Sequence, residues 1–211
     1  MTTPSAPIAL VGLPGVGKTT VGQALARRLG MPFHDTDDLV AVAMGYPSVG
    51  AAFESKGEAV VRSYELEILE ALVLRPAARP GVIAVGPAAP TIDGVPDLLR
   101  SGSTCIWLLA TVTTVAERLL YVGWHQGAFP IDWRPALERT LAANGGAYDR
   151  ASAHHIWTTL AGDPTPVGRP EDIEQVAQTV VEALALGGSS CCGAHGPRWH
   201  PCSLTVGAVR P

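Results

Sequence analysis

Lysine is almost missing from this chain. Lys18 and Lys56 are the only two, and arginine carries the rest of the positive charge. Charged residues make up only 16% of the sequence, and the formal net charge is −4. No run of five or more basic residues occurs. A nucleic-acid groove or an anionic membrane surface is therefore not the expected partner. No apolar run approaches the length of a membrane span. The N-terminal stretch "MTTPSAPIALVG" lacks a basic leader, and Gly and Pro interrupt its apolar run, so no signal peptide is expected. Cysteine is scarce too. Cys105, Cys191, Cys192 and Cys202 are too few and too unevenly placed for a disulfide framework. Reduced thiols, a cytoplasmic location and a monomer are the simplest expectation.

What is present is apolar. Hydrophobic residues form 47% of 211, enough to bury the core of one domain. Short β-like runs alternate with helical patterns. Ile8–Val11 reads as a buried strand, and Val21, Leu25 and Leu29 give the following segment helical spacing that stops at Gly30. "MPFHDTDD", "GVIAVG", "TCIWLLA" and "HHIWTTL" read as further strands. Helices are expected at 38–43, 49–53, 57–74, around "VTTVAERLLYV", and from Pro170 to Leu186. In 57–74 the stripe is Val60, Tyr64, Ile68 and Leu72. "ALERTLAANGGAYDRAS" reads as helix broken at Gly145–Gly146. The alternation predicts an α/β fold with a parallel sheet covered by helices on both faces.

"GLPGVGKT" fits the phosphate-loop pattern G-x-x-x-x-G-K-[ST] at Gly12, Gly17, Lys18 and Thr19. It lies between a strand and a helix, as that chemistry requires. Glycines let successive N–H groups point at phosphate oxygens, and the helix N-terminus adds its dipole. Lys18 is expected on the β- and γ-phosphates, and the Thr19 hydroxyl on Mg²⁺. Gly12, Gly15, Val16, Gly17, Lys18, Thr19 and Thr20 are the expected ATP-binding residues. No guanine-type N/T-K-x-D signature occurs, which argues against a GTPase.

With "DTD" at 35–37, "GEAVVR" at 57–62 and "VIAVG" after them, the chain resembles the shikimate kinase family. The resemblance runs from about Ile8 to Gly86 and more weakly to about Ala151. It implies a P-loop NTPase three-layer α/β/α sandwich of the nucleoside-monophosphate-kinase type, with five parallel strands and a lid. It also implies transfer of the ATP γ-phosphate to a hydroxyl of shikimate. Under it, Asp35 supports Mg²⁺ and Asp37 receives the acceptor hydroxyl, roles a carboxylate suits. The plainer reading is acidic residues capping a helix, with Asp38 in that role. Arg62 matches a substrate-carboxylate clamp; alone it reads as a helix arginine pairing with Glu58. Arg118 falls near the adenine-packing position, and Gly86 on the acceptor wall.

Three places depart from that pattern. Gly86-Pro87-Ala88 stands where the family has three glycines whose N–H groups face substrate, and Pro has no N–H. His125-Gln126-Gly127-Ala128 stands at the lid arginine, with Arg134 and Arg139 as candidate replacements. Asn144, four residues before Tyr148, stands at a second carboxylate-binding arginine. A diverged nucleotide-binding paralogue, with another polyol acceptor or little catalysis, is the alternative reading.

Residues 1–186 are expected to form the kinase domain. From Gly187 periodicity is lost, and 187–211 reads as a disordered tail. Cys191, Cys192, His195, His200 and Cys202 are zinc-ligand types, but their spacing matches no familiar zinc site.

Overall fold

The structure is a computed structural model and describes residues 4–74, 80–121, 133–158 and 170–185. Its strands are β1 (Ile8–Val11), β2 (Phe33–Asp35), β3 (Val82–Ala84), β4 (Thr104–Leu109) and β5 (His154–Trp157). Its α-helices are α1 (Lys18–Leu29), α2 (Thr36–Met44), α3 (Val49–Lys56), α4 (Glu58–Leu74), α5 (Val95–Gly102), α6 (Val112–Tyr121), α7 (Trp133–Ala151) and α8 (Pro170–Ala185). The strands form one parallel sheet in the order β2-β3-β1-β4-β5. This is the expected P-loop architecture.

β1 lies at the centre, pairing Ile8 with Val82 on one side and with Thr104 on the other. Both sheet faces are covered, which is why the three central strands β3, β1 and β4 are almost continuously apolar rather than alternating. Ile8 and Leu10 face a core with α1, α6 and α8 (Leu25, Val115, Val180). Ala9 and Val11 face the opposite core with α4, α5 and α7 (Leu69, Leu99, Tyr148). A satellite cluster of Val40, Val49, Ala52 and Val61 ties α2, α3 and α4 together beside the sheet. Among the described residues, no helix is long and apolar enough to cross a membrane.

Several local expectations change. α7 runs unbroken through Gly145–Gly146. A mid-helix glycine costs about 1 kcal/mol relative to alanine. Here buried Leu137, Asn144, Ala147, Tyr148 and Ala151 hold the helix on both sides of the pair. α2 begins at Thr36, and Asp35 caps it by accepting from the Asp37 N–H, so Asp38 is not the cap. α3 extends past Phe53 to Lys56. On α4 the buried stripe is Val61, Glu65, Leu69 and Val73, one residue on from the expected one, and Val60 is exposed. The short α5 and the 3₁₀ turn Ala89–Thr91 were not expected. Pro96 in the first turn of α5 is the start signal that could have found it. The stretch 125–128 and the Cys/His cluster at 191–202 lie outside the described residues.

Two glycine substitutions test this packing. Gly145→Ala is expected to raise the thermal midpoint, adding about 0.5–1 kcal/mol, because the new methyl meets only Leu141 at 3.6 Å. Gly22→Ala is expected to lower it, because its methyl falls 2.6 Å from the Phe33 ring. Thermal unfolding of both variants measures the two signs.

Candidate active site

The phosphate loop leaves the end of β1 and turns into α1. Gly12 has φ 140°, and a Cβ there would lie 2.6 Å from the Leu108 carbonyl oxygen of β4. No side chain fits between loop and sheet. Gly17, also left-handed, caps α1, and its carbonyl accepts from the Val21 N–H at 2.8 Å. Gly15, Val16, Gly17, Lys18, Thr19 and Thr20 all line one cavity of about 1100 Å³. Gly12 lies behind that lining.

The Lys18 ammonium donates to the carbonyls of Gly12 (2.9 Å) and Leu13 (3.0 Å). Desolvation pulls its pKa down to about 8, against the opposing pull of Asp37 and Asp35. The Thr19 hydroxyl donates to Asp35 Oδ2 at 2.8 Å, while Asp35 Oδ1 accepts from the Asp37 N–H at 3.1 Å. One carboxylate thus joins the phosphate loop to the start of α2. Asp37 lines the same cavity. Burial, and then the neighbouring Asp35, push its pKa up to about 6, with Lys18 opposing.

Arg62 reaches the cavity from α4. It donates to Glu65 at 2.6 Å and to Glu58 at 3.2 Å, and stacks 4.9 Å from the Phe53 ring centroid. Burial lowers its pKa, but the two carboxylates more than reverse this, and the net direction is up. Glu65 is 2% exposed, and its burial raises its pKa despite Arg62. Arg62 thus lines the cavity and also pairs with Glu58, as expected of a helix arginine. Glu65 escaped the sequence reading. A charged residue at a stripe position, three after an arginine, was the available signal.

Another wall of the cavity follows β3. The Gly86 N–H donates to the buried Thr36 hydroxyl at 2.8 Å. A Cβ on Gly86 would fall 2.5 Å from Asp37 Oδ1. Gly86 therefore backs the acidic group rather than lining the cavity, whereas Pro87 and Ala88 line it. The Pro87 carbonyl accepts from the Tyr148 hydroxyl (2.5 Å) and from Asn144 Nδ2 (3.3 Å). Thr36 in this network also went unnoticed in the sequence; the middle of "DTD" was the clue.

At the far end Arg118 donates to the Val16 carbonyl (2.9 Å) and to the Thr158 hydroxyl (3.0 Å) and carbonyl (3.1 Å). It links the phosphate loop to the end of β5, and burial lowers its pKa. Asp172, Ile173 and Val176 of α8 complete this end of the cavity. Their sequence neighbourhood carries no motif. α8 is held to α1 by Arg28, which bonds Glu174 (3.1 Å) and Gln178 (2.6 Å). Arg134 and Arg139 are exposed on α7; only Arg139 lines a cavity, a second one of about 330 Å³. Among the described residues, no group of three or more His, Cys, Asp or Glu side chains could hold a metal ion by itself.

A hydroxyl-bearing phosphate loop, a carboxylate bound to it and a buried carboxylate of raised pKa beside both are suited to phosphoryl transfer. Comparisons agree. The family model for shikimate kinase matches residues 14–185. A shikimate kinase of Zymomonas mobilis is 33% identical over 159 residues, 74% of this chain and 88% of that protein. One from Cereibacter sphaeroides is 32% identical over 178 residues, 84% and 82% of the two chains. The fold is similar to that of Acinetobacter baumannii shikimate kinase in complex with shikimate, with a TM-score of 0.75 and 24% identity over 87% of this chain and 95% of that one. It is also similar to the Aquifex aeolicus shikimate kinase, with a TM-score of 0.67 and 26% identity over 86% and 99%. With the family model spanning most of its length and two relatives above 30% identity, this chain belongs to the shikimate kinase family, whose members are small-molecule kinases.

Proposed function

We propose that the protein transfers the γ-phosphoryl group of ATP to a hydroxyl of shikimate, acting as a monomer in the cytoplasm. The observation that carries this is the hydrogen bond from Thr19 to Asp35, with Asp37 in the same cavity. It brings the phosphate loop and the acidic pair to one point. Asp37 then accepts the proton of the attacking hydroxyl as the new O–P bond forms and the β,γ-bridging P–O bond breaks. A pKa raised to about 6 by burial makes it a stronger base than an ordinary aspartate while leaving it ionised near neutrality. Lys18 exchanges its loop carbonyls for phosphate oxygens and offsets charge on the leaving group. Arg62 orients the acceptor, and Arg118 borders the base end of the nucleotide.

Thr19 and Asp35 fit a magnesium site. Both are hard oxygen donors, and they already meet at 2.8 Å beside the phosphate loop. A Mg²⁺ held by these two residues would neutralise charge on the phosphates.

A reading with little catalysis draws on the acceptor wall, where Pro87 lacks an N–H and Gly86 uses its own on Thr36. Saturating Mg-ATP with a panel of polyol acids separates the two. Shikimate-dependent ADP release is expected; nucleotide binding without acceptor-dependent turnover would favour the second.

Three further outcomes are expected. Lys18→Ala lowers turnover by about 100-fold or more while the fold persists. With both substrates below saturation, the rate falls below about pH 6 as Asp37 takes up a proton, and above about pH 8 as Lys18 loses one. Asp37→Asn removes the acid limb; a wild-type profile flat from about pH 5 to about pH 9 contradicts the assignment. Arg62→Ala raises the acceptor KM and, by leaving Glu65 buried and unpaired, lowers stability by about 3 kcal/mol. Adding Glu65→Gln is expected to restore much of the stability but not the KM, which steady-state kinetics and urea unfolding read separately.

A further inference from the structure

An acidic acceptor needs a cation, and among the described residues carboxylates outnumber cations around Asp37 and Arg62. Among the described residues the lining there carries Asp35, Asp37, Asp38, Glu54, Glu58 and Glu65, against Arg62 and the phosphate-loop Lys18. Arg62 is already paired with two of those carboxylates, one of them buried. Asn144 brings no charge, and its amide is engaged with the Pro87 carbonyl and the Tyr148 hydroxyl. These contacts make Asn144 an anchor of the acceptor loop.

α7 supplies another group. Arg139, Thr140, Ala143 and Asn144 line the second cavity together with Pro14, Pro87 and Ala88. Residues 139 and 143, and 140 and 144, are i,i+4 pairs on adjoining strips of the helix. Pro14, Pro87 and Ala88 also line the main cavity. The smaller cavity is therefore a side chamber that shares its wall with the phosphate loop and the acceptor loop. Among the described residues Arg139 is the one charged residue lining it. Among the described residues Arg139 forms no ion pair or hydrogen bond, so its fork is available for a planar carboxylate.

We propose that the carboxylate of the acceptor binds in this side chamber on Arg139, which makes Arg139 the residue that selects acidic over neutral acceptors. The proposal rests on the shikimate reading above. Asn144 keeps the Pro87 carbonyl in place and leaves charge recognition to a residue five positions earlier on the same helix.

Calorimetric titration of shikimate into MgADP-loaded protein tests it. Arg139→Gln is expected to weaken shikimate binding about tenfold to a hundredfold, with MgADP binding retained as the check on folding. Arg139→Lys is expected to recover part of the loss. Arg150→Gln, exposed on the same helix and lining neither cavity, stays within about twofold of the wild type. The neutral carboxamide of shikimate should bind wild type and Arg139→Gln alike. In turnover, the loss appears in the acceptor KM with kcat nearly kept. Shikimate affinity unchanged in Arg139→Gln, or a loss confined to nucleotide affinity, overturns the proposal. Wild-type binding that depends on Arg139 without turnover sustains it while defeating the proposed reaction. Turnover that ignores Arg139 does the reverse. No shikimate binding by the wild type defeats both.

Discussion

The hydrogen bond between the Thr19 hydroxyl and the Asp35 carboxylate is the joint on which the site depends. Thr19 belongs to the first turn of α1, and Asp35 ends β2, two strands away from β1 in the sheet. The sheet order brings these ends together, and the Asp35 side chain then does two tasks. Its other oxygen caps α2, which sets the orientation of Asp37 two residues later. Thr36, between them, takes the Gly86 N–H and so fixes the loop after β3 to the same segment. Three consecutive residues therefore couple the phosphate loop, the acidic group and the loop after β3.

Desolvation tunes the charges that meet there. Lys18 and Asp37 move toward neutrality from opposite sides, each pushed mainly by burial and each restrained by the other. The two shifts leave a pH window in which the ammonium is charged and the carboxylate is ionised. Arg62 shows a different balance. Its pairing with Glu65 serves the fold, since a buried carboxylate without a partner is costly. An arginine so engaged is a weaker clamp for an incoming acid than a free one. The side chamber at Arg139 is set against that background.

Much of the fold was legible because its signals are local. Gly12 and Gly17 bracket a loop between an apolar strand and a helix, and Gly30 ends that helix with a left-handed cap. Short strands of three to six residues, separated by helices, imply parallel pairing. The misreadings share a cause as well. Gly145–Gly146 is a helix breaker by propensity, yet the packing of Leu137 and Tyr148 outweighs it. The α4 stripe was misplaced by one residue because its second member is Glu65, a carboxylate buried against an arginine. Polar residues at core positions are invisible to a hydrophobic pattern.

The sequence by itself determined the phosphate loop, the acidic pair and the alternation that builds the sheet, because each rests on residue type and short spacing. Only the tertiary structure decided what those residues touch. It assigned Asp35 to Thr19, gave Arg62 two carboxylate partners, and turned Asn144 toward the Pro87 carbonyl. Pro87 read in sequence as a lost donor. In the fold its carbonyl is the point where α7 grips the loop after β3, across 61 residues of chain to Tyr148. Contacts of that range follow from the crossing of strands and helices, and no local pattern encodes them.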